Sequence, residues 1–252
     1  MINAIVGNTG LIGKTLSASI NFDYLFNSLN IDSLNNSIPL YVDNLYLSCL
    51  PAQKYIVNKN IVADMKNILK IIDAIGNIKP KKIFLVSTID VYCDSPFGSD
   101  EDTIPIFKTL TYGSNRYFFE KLVIKTFLNS DVSIFRLPGL FGNGIKKNII
   151  YDILNNNNIS KINTNSSYQW YDLNDLVKDI CLFSKEKIVN LFTEPIETNY
   201  LMDKVFGMIG CGVEEDKFFY DFRTKYSESG YIRSKDYIIE KIKRFKDGYS
   251  NK

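Results

Sequence analysis

Residues 2 to 13, INAIVGNTGLIG, constrain the fold more than any other stretch of the chain. An apolar run from Ile2 to Val6 stops at Gly7. Gly10 and Gly13 follow at intervals of three, and an amphipathic segment begins. That order describes a strand turning directly into a helix. Gly7 permits the tight turn, Gly10 lets backbone approach a pyrophosphate, and Gly13 lets the helix pack closely on the strand. The helix start offers unpaired N–H groups and a partial positive charge to a phosphate. Asn8, Thr9, Leu11 and Ile12 lie between the glycines and complete a candidate dinucleotide cradle. Glycines in such turns also serve packing alone, so the pattern gains its weight from its place directly after a strand.

The rest of the chain continues the alternation. Leu11 to Ser19 reads as a helix and Phe22 to Phe26 as a second short strand. Where nicotinamide sites that use NAD usually place an acidic residue, this strand runs into Asn27 and Ser28. The missing carboxylate favours NADP(H) over NAD(H). Lys14 is either a partner for a 2′-phosphate or an exposed helix lysine. Leu40 to Ser48 reads as a core strand, which puts Cys49 and Leu50 in the loop beside the cofactor. Asn60 to Ile75 carries Ile61, Met65, Ile68, Leu69, Ile72 and Ile75 at helical spacing. Pro80 punctuates, and Lys82 to Thr88 is a strand. Cys93 to Thr111 is a loop, Tyr112 to Leu128 a helix, Val132 to Arg136 a strand and Leu137 to Asn148 a loop. Asn155 to Asn158 ends a helix at the surface. Asp172 to Phe183 is a helix capped by Asp172 or Asn174, and Lys235 to Phe245 is an amphipathic helix with a solvated basic face. Strands alternating with helices imply a Rossmann-type, doubly wound parallel α/β sheet. The expected division is a dinucleotide-binding core over 1–142 and a substrate-binding region over 143–252 that returns in part to the core.

With 252 residues and 45% hydrophobic residues, the chain can bury a full core. A net charge of +2 gives no strong field toward nucleic acid or an anionic membrane. No run is long enough to span a bilayer, and no basic region precedes Ile2 as in a signal peptide. Cys49, Cys93, Cys181 and Cys211 are far apart and show no metal spacing, which fits a reduced, cytoplasmic protein. The chain has 0 histidines. Proton chemistry therefore falls to Tyr, Lys, Asp, Glu, Ser or Thr, and a zinc site is not expected.

One constellation meets that requirement. Ser87 and Thr88 close a core strand, Tyr112 opens a helix, and Arg116 lies one turn further on the same face. A hydroxyl can hold a substrate oxygen, a phenol can pass a proton, and a nearby cation lowers the phenol's pKa from about 10. A nicotinamide could exchange hydride with the same carbon.

These residues resemble the extended short-chain dehydrogenase/reductase family, over most of the first 180 residues. GNTGLIG is similar to its glycine fingerprint and VSTIDVY to the strand ending in the active-site Ser/Thr, here Thr88. YGSNRYFFE resembles the segment with the catalytic tyrosine, here Tyr112. RLPGLFG (136–142) and QWYDLNDLVKDI (169–180) resemble later segments in the expected order. The STIDVY, GLFG and KKN patterns also resemble a subgroup found among polysaccharide-biosynthesis genes. The resemblance implies redox chemistry on a nucleotide-linked sugar, NAD(P) as cofactor and a homodimer joined through the Tyr112 helix. It implies cofactor contacts at Pro138 as well as the residues above. It implies substrate contacts at Asp90, at Lys146, Lys147 and Asn148, and at Gln169; Arg223, by its position in the C-terminal region, is a further candidate toward the diphosphate. Lys146 and Lys147 also read as an exposed charged loop and Asp90 as a locally paired loop residue; Trp170 and Tyr171 read as lining a sugar or base pocket, with core packing the alternative, and the preferred one, for Trp170. Tyr92 reads as packing near the nicotinamide.

Two departures matter. Arg116 stands where the family has lysine, keeping the charge in a different shape. Tyr117 and Lys121 offer a second frame with tyrosine–lysine spacing, but Gly113 and Glu120 fit the family only in the first. The pair Ile89-Asp90 lacks one of the two carboxylates of sugar-nucleotide dehydratases, so reduction or epimerisation is expected rather than dehydration. A non-catalytic dinucleotide binder and a bare Rossmann domain are the alternatives.

Overall fold

The computed structural model describes residues 1–208 and 217–249. Cys211 lies outside the described residues. Along the chain the elements are β1 (Asn3–Val6), α1 (Leu11–Ser17), β2 (Tyr24–Phe26), α2 (Leu34–Ser37), β3 (Tyr41–Leu47), α3 (Lys54–Lys59), α4 (Ile61–Ile75), β4 (Lys79–Thr88), α5 (Tyr112–Thr126) and β5 (Asp131–Leu137). There follow β6 (Gly139–Phe141), α6 (Ile149–Leu154), β7 (Ser167–Tyr168), β8 (Trp170–Asp172), α7 (Leu176–Leu182), β9 (Ile188–Asn190), β10 (Ile196–Glu197), α8 (Thr198–Leu201) and α9 (Lys235–Tyr249).

The chain forms two units. The first comprises Met1–Pro96, Thr103–Arg136 and Leu176–Val189; the second comprises Phe97–Asp102, Leu137–Asp175 and Asn190–Lys252. The first is built on a six-stranded sheet in the order β2-β1-β3-β4-β5-β9. β1 pairs in parallel with β2 and β3, and β3 with β4. This is the Rossmann-type doubly wound α/β sheet. Its core holds Ala4 and Val6 of β1, Leu45 and Leu47 of β3, Ile83 and Leu85 of β4 and Ile134 of β5. Against them pack Ile68, Ile71 and Ile75 of α4 and Phe119 and Val123 of α5. The parallel register brings the C-terminal ends of β1, β3 and β4, at Gly7, Ser48 and Thr88, to one edge.

Local chemistry sets the helix starts. Asn60 caps α4 by accepting from the Ala63 N–H at 3.1 Å. Thr111 caps α5 through a reciprocal capping box with Ser114, an arrangement that contributes about 1 kcal/mol. In the second unit β6 pairs in parallel with β8, and β10 antiparallel with β7.

Four local expectations are corrected. Pro80 lies inside β4 opposite Val42 rather than before it, where a proline near a strand's start costs no needed donor. The segment after Pro51 contains α3, a helix the spacing did not announce. Leu69 is exposed and Asp64 buried, so the inward face of α4 is turned from the one its apolar residues mark out. Asp172 ends β8 instead of opening a helix; its carboxylate accepts from the Asn174 N–H at 2.9 Å, and α7 starts at Leu176. The four-asparagine run does close α6, with Asn156 and Asn158 at positive φ, which asparagine tolerates.

Candidate active site

The glycine loop shows three different constraints. Gly7 has φ +102°, and a Cβ there would lie 2.3 Å from the Ser48 carbonyl oxygen. A Cβ at Gly13 would lie 2.1 Å from the Gly7 oxygen. Both are demanded by the protein's own backbone. Gly10 differs: a Cβ there would meet only the Gly7 oxygen, at 3.5 Å, an ordinary contact. Gly10 begins α1 without a side-chain cap. The packing of the chain thus leaves the bare backbone at Gly10 unexplained, and a phosphate against it would explain it. Asn8 and Asn27 meet across the loop, the Asn27 amide donating to Asn8 Oδ1 at 3.3 Å. Thr9, Lys14 and Ser28 are exposed, Leu11 and Ile12 partly so. Cys49 and Leu50, at the end of β3, pack on the core. Burial pushes the Cys49 thiol up to about 12 despite the nearby Arg116.

α5 is unusual in what it turns inward. Tyr112, Asn115, Arg116, Phe119, Glu120 and Val123 form its buried face, one helical stripe that mixes phenol, amide and charge with apolar groups. Gly113 lets the helix reach the turn after β4, because a Cβ there would lie 1.9 Å from the Asp90 carbonyl oxygen. The Tyr112 N–H is held by Asn58 of α3 at 2.7 Å. The Arg116 guanidinium lies over the Tyr112 ring, and Arg116 and Thr88 both favour the ionised form of the phenol. The triad named from sequence is therefore assembled within one unit. In the other frame Lys121 is exposed and lies over the Tyr117 ring.

The protonation expectation for Tyr112 is corrected. Burial pushes the phenol's pKa up; Arg116 and Thr88 pull it down, but burial is the larger effect, and the net direction is upward. A phenolate stripped of water costs more than one compromised cation returns.

The cation is compromised because of Asp64. The carboxylate on α4 accepts from both terminal nitrogens of Arg116, each at 2.9 Å, and Arg116 also donates to the Pro51 carbonyl at 2.9 Å. Asn115 donates to the same carboxylate at 2.8 Å. The guanidinium carbon sits 4.4 Å from the Tyr112 ring centroid. Arg116 Nε and Asn115 Oδ1 are buried without a partner among the described residues.

Around this centre other polar groups are committed. Ser87 donates to Glu120 at 2.5 Å, and Glu120 takes two hydrogen bonds from Arg136 at 3.0 and 2.6 Å. Arg136 also bonds the Tyr92 hydroxyl. Asp90 is paired with Lys54 of α3 at 2.6 Å and engages Thr88. Asp90 thus has one local partner, Thr88, and one distant in sequence, Lys54.

No protein-family model and no curated protein matches the sequence. Solved structures do match. MoeE5 in complex with UDP-glucose and NAD superposes with a TM-score of 0.76 at 12% identity, over 100% of this chain and 99% of that one. The dTDP-4-dehydrorhamnose reductase of Yersinia enterocolitica gives 0.76 at 12% identity, over 98% and 99%. The UDP-N-acetylglucosamine 4-epimerase of Bacillus cereus gives 0.73 at 15% identity, over 99% and 100%. The chain has their fold.

In the second unit the expected substrate residues fare unevenly. Lys146 and Lys147 are exposed on their loop. Asn148 caps α6, accepting from Tyr151 N–H at 3.0 Å, and donates to the Leu140 carbonyl at 2.7 Å. Gln169 is buried, donating to the carbonyls of Thr193 and Phe222 and accepting from the Phe222 N–H. Its amide is a structural pin. Arg223 pairs with Asp221 and stacks on Tyr231, 4.3 Å from the ring centroid. Trp170 and Tyr171 are buried, and Pro138 is buried between β5 and β6.

Sequence reasoning missed Asp64, Asn58 and Lys54. Only Asp64 left a trace: a carboxylate four residues before Ile68, on what should be an apolar stripe.

Proposed function

We propose that the chain is an extended short-chain dehydrogenase/reductase that reduces or epimerises a nucleotide-linked keto sugar with NAD(P), in the making of a surface-polysaccharide precursor. The observation that carries this is the convergence of Thr88, Tyr112 and Arg116 at the sheet edge that also bears the glycine loop. The matched structures include complexes with UDP-glucose and NAD and, from Pseudomonas aeruginosa, with NADPH.

The dinucleotide would be held by the Gly7–Gly13 loop, with Asn8, Asn27 and Ser28 toward its ribose and Cys49, Leu50 and Ser87 lining the way to Tyr112. When bound, it supplies or accepts hydride at the sugar carbon. Thr88 would hold the sugar oxygen, and Tyr112 would pass a proton at that oxygen. Arg116 Nε, buried and unpartnered among the described residues, supports a ribose contact there. The absence of a carboxylate at Asn27 supports NADP(H). Lys146 and Lys147 remain the proposed diphosphate contacts. A cytoplasmic homodimer completes the reading, and the free thiols of Cys49, Cys93 and Cys181 suit a reducing compartment.

The test is calorimetry with NADPH and NADH, followed by hydride transfer assayed with keto-sugar nucleotides. Binding with turnover that Tyr112→Phe abolishes supports the reading; turnover unaffected by that change overturns it. The Asp64 clamp on Arg116 favours a second reading, a dinucleotide binder with impaired catalysis. It would show binding without turnover.

A further inference from the structure

Asp64 supplies the bidentate contact that orients Arg116. Its two oxygens take both terminal nitrogens of the guanidinium, Asn115 donates to the same carboxylate, and the Pro51 carbonyl accepts from Arg116. Asp64 and Arg116 are each buried. The cation therefore lies across the Tyr112 ring as half of a neutralised pair.

We infer that Asp64 is a positioning residue that keeps the Tyr112 phenol protonated, and so biases this site toward donating a proton rather than taking one. An isolated cation 4–6 Å from an ionisable group moves its pKa by roughly 1–3 units, but a bidentate pair presents almost no net charge. The other charged and titratable groups near the phenol do not replace the lost field. Asp90 opposes phenolate and is itself paired with Lys54 of α3, and the thiol nearest Arg116, Cys49, is neutral. A protonated phenol can deliver its proton to an oxygen that gains charge as a ketone carbon accepts hydride from a reduced nicotinamide. The product is the alcohol, and the phenolate left behind recovers its proton from solvent. Such a phenol cannot begin by taking a proton from a hydroxyl. Given Tyr112 as the proton-transfer group, the inference selects ketone reduction over oxidation-first epimerisation.

The experiment is a pH titration of the full chain labelled with 13Cζ-tyrosine, followed by NMR, with Tyr112 assigned through Tyr112→Phe. In Asp64→Asn the onset of Tyr112 ionisation should fall by about one pH unit or more. Asp64→Glu, which restores the charge, should bring it back toward the parent value. An unchanged onset in a natively folded Asp64→Asn chain overturns the inference. Should that variant not fold, the charge-free pair Asp64→Asn with Arg116→Gln decides. An onset within about half a unit of the parent supports the inference, and a rise of about a unit or more, the signature of a lost uncompensated cation, overturns it. The titration needs neither dinucleotide nor sugar. Absence of turnover would count against the proposed reaction and leave this result intact.

Discussion

The Asp64 carboxylate and the Arg116 guanidinium form a bidentate ion pair between α4 and α5, both N–O distances 2.9 Å and both side chains about 95% shielded from solvent. A pair so placed contributes little net stability over an apolar pair of the same shape, yet it is costly to break on one side. Asp64→Ala leaves a buried guanidinium without its counter-charge. The expected loss is about 3–5 kcal/mol in urea unfolding. A loss below about 1 kcal/mol would mean that water reaches the pair.

The glycine loop separates packing from ligand. Gly10→Ala should leave the unfolding midpoint near the parent value, because the added methyl makes only one ordinary contact, at 3.5 Å. Its affinity for NAD(P)H should fall at least tenfold. Gly13→Ala should instead destabilise the fold itself, because its methyl would meet backbone at 2.1 Å. Calorimetry and urea titration of the two variants give the comparison.

Gly113→Ala forces α5 away from the turn that carries Asp90, since its methyl would lie 1.9 Å from a carbonyl oxygen that cannot rotate aside. We expect a stability loss of about 1–3 kcal/mol. A larger proportional loss in turnover should accompany it, because Tyr112 is the adjacent residue. Equal small effects on both would place the phenol's position outside the control of that contact.

Lys121→Ala tests the choice of frame. Lys121 is exposed and touches only the Tyr117 ring among the contacts described. Stability should change by no more than about 0.5 kcal/mol, and hydride transfer should be unaffected. Tyr112→Phe should lower hydride transfer by about 10²-fold or more while folding normally.

Alkaline pH should destabilise the fold. The Cys49 thiol is raised to about 12 and the Tyr112 phenol is also raised. Between the unfolded and folded pKa values the native state binds more protons, so the unfolding free energy falls as pH rises. The contribution is complete well below about pH 8.5, the midpoint at which an unfolded thiol ionises, and declines as pH rises through it. Urea midpoints measured from pH 8 to 10.5 should fall, and less steeply in Cys49→Ala. A flat profile would show both groups open to water.

Local pattern carried much of this protein. The run Ile2–Val6 into Gly7, the β-like KIFLVST and the four-residue step from Tyr112 to Arg116 are short-range features. Strand, turn and helix each repeat within a few residues, so the alternation, the glycine loop and the inward face of α5 are legible from the chain alone. The partnerships are not. Asp64 and Arg116 are 52 residues apart, Asn58 and Tyr112 54, and Lys54 and Asp90 36. No periodicity links such pairs; they meet because α3 and α4 are folded against α5 and the β4 edge. The same holds for the state of the phenol. Its neighbour in sequence announces a cation and a lowered pKa, but burial reverses the sign. Loss of water and distant charge are properties of the packed molecule, and they appear only when the chain has closed on itself.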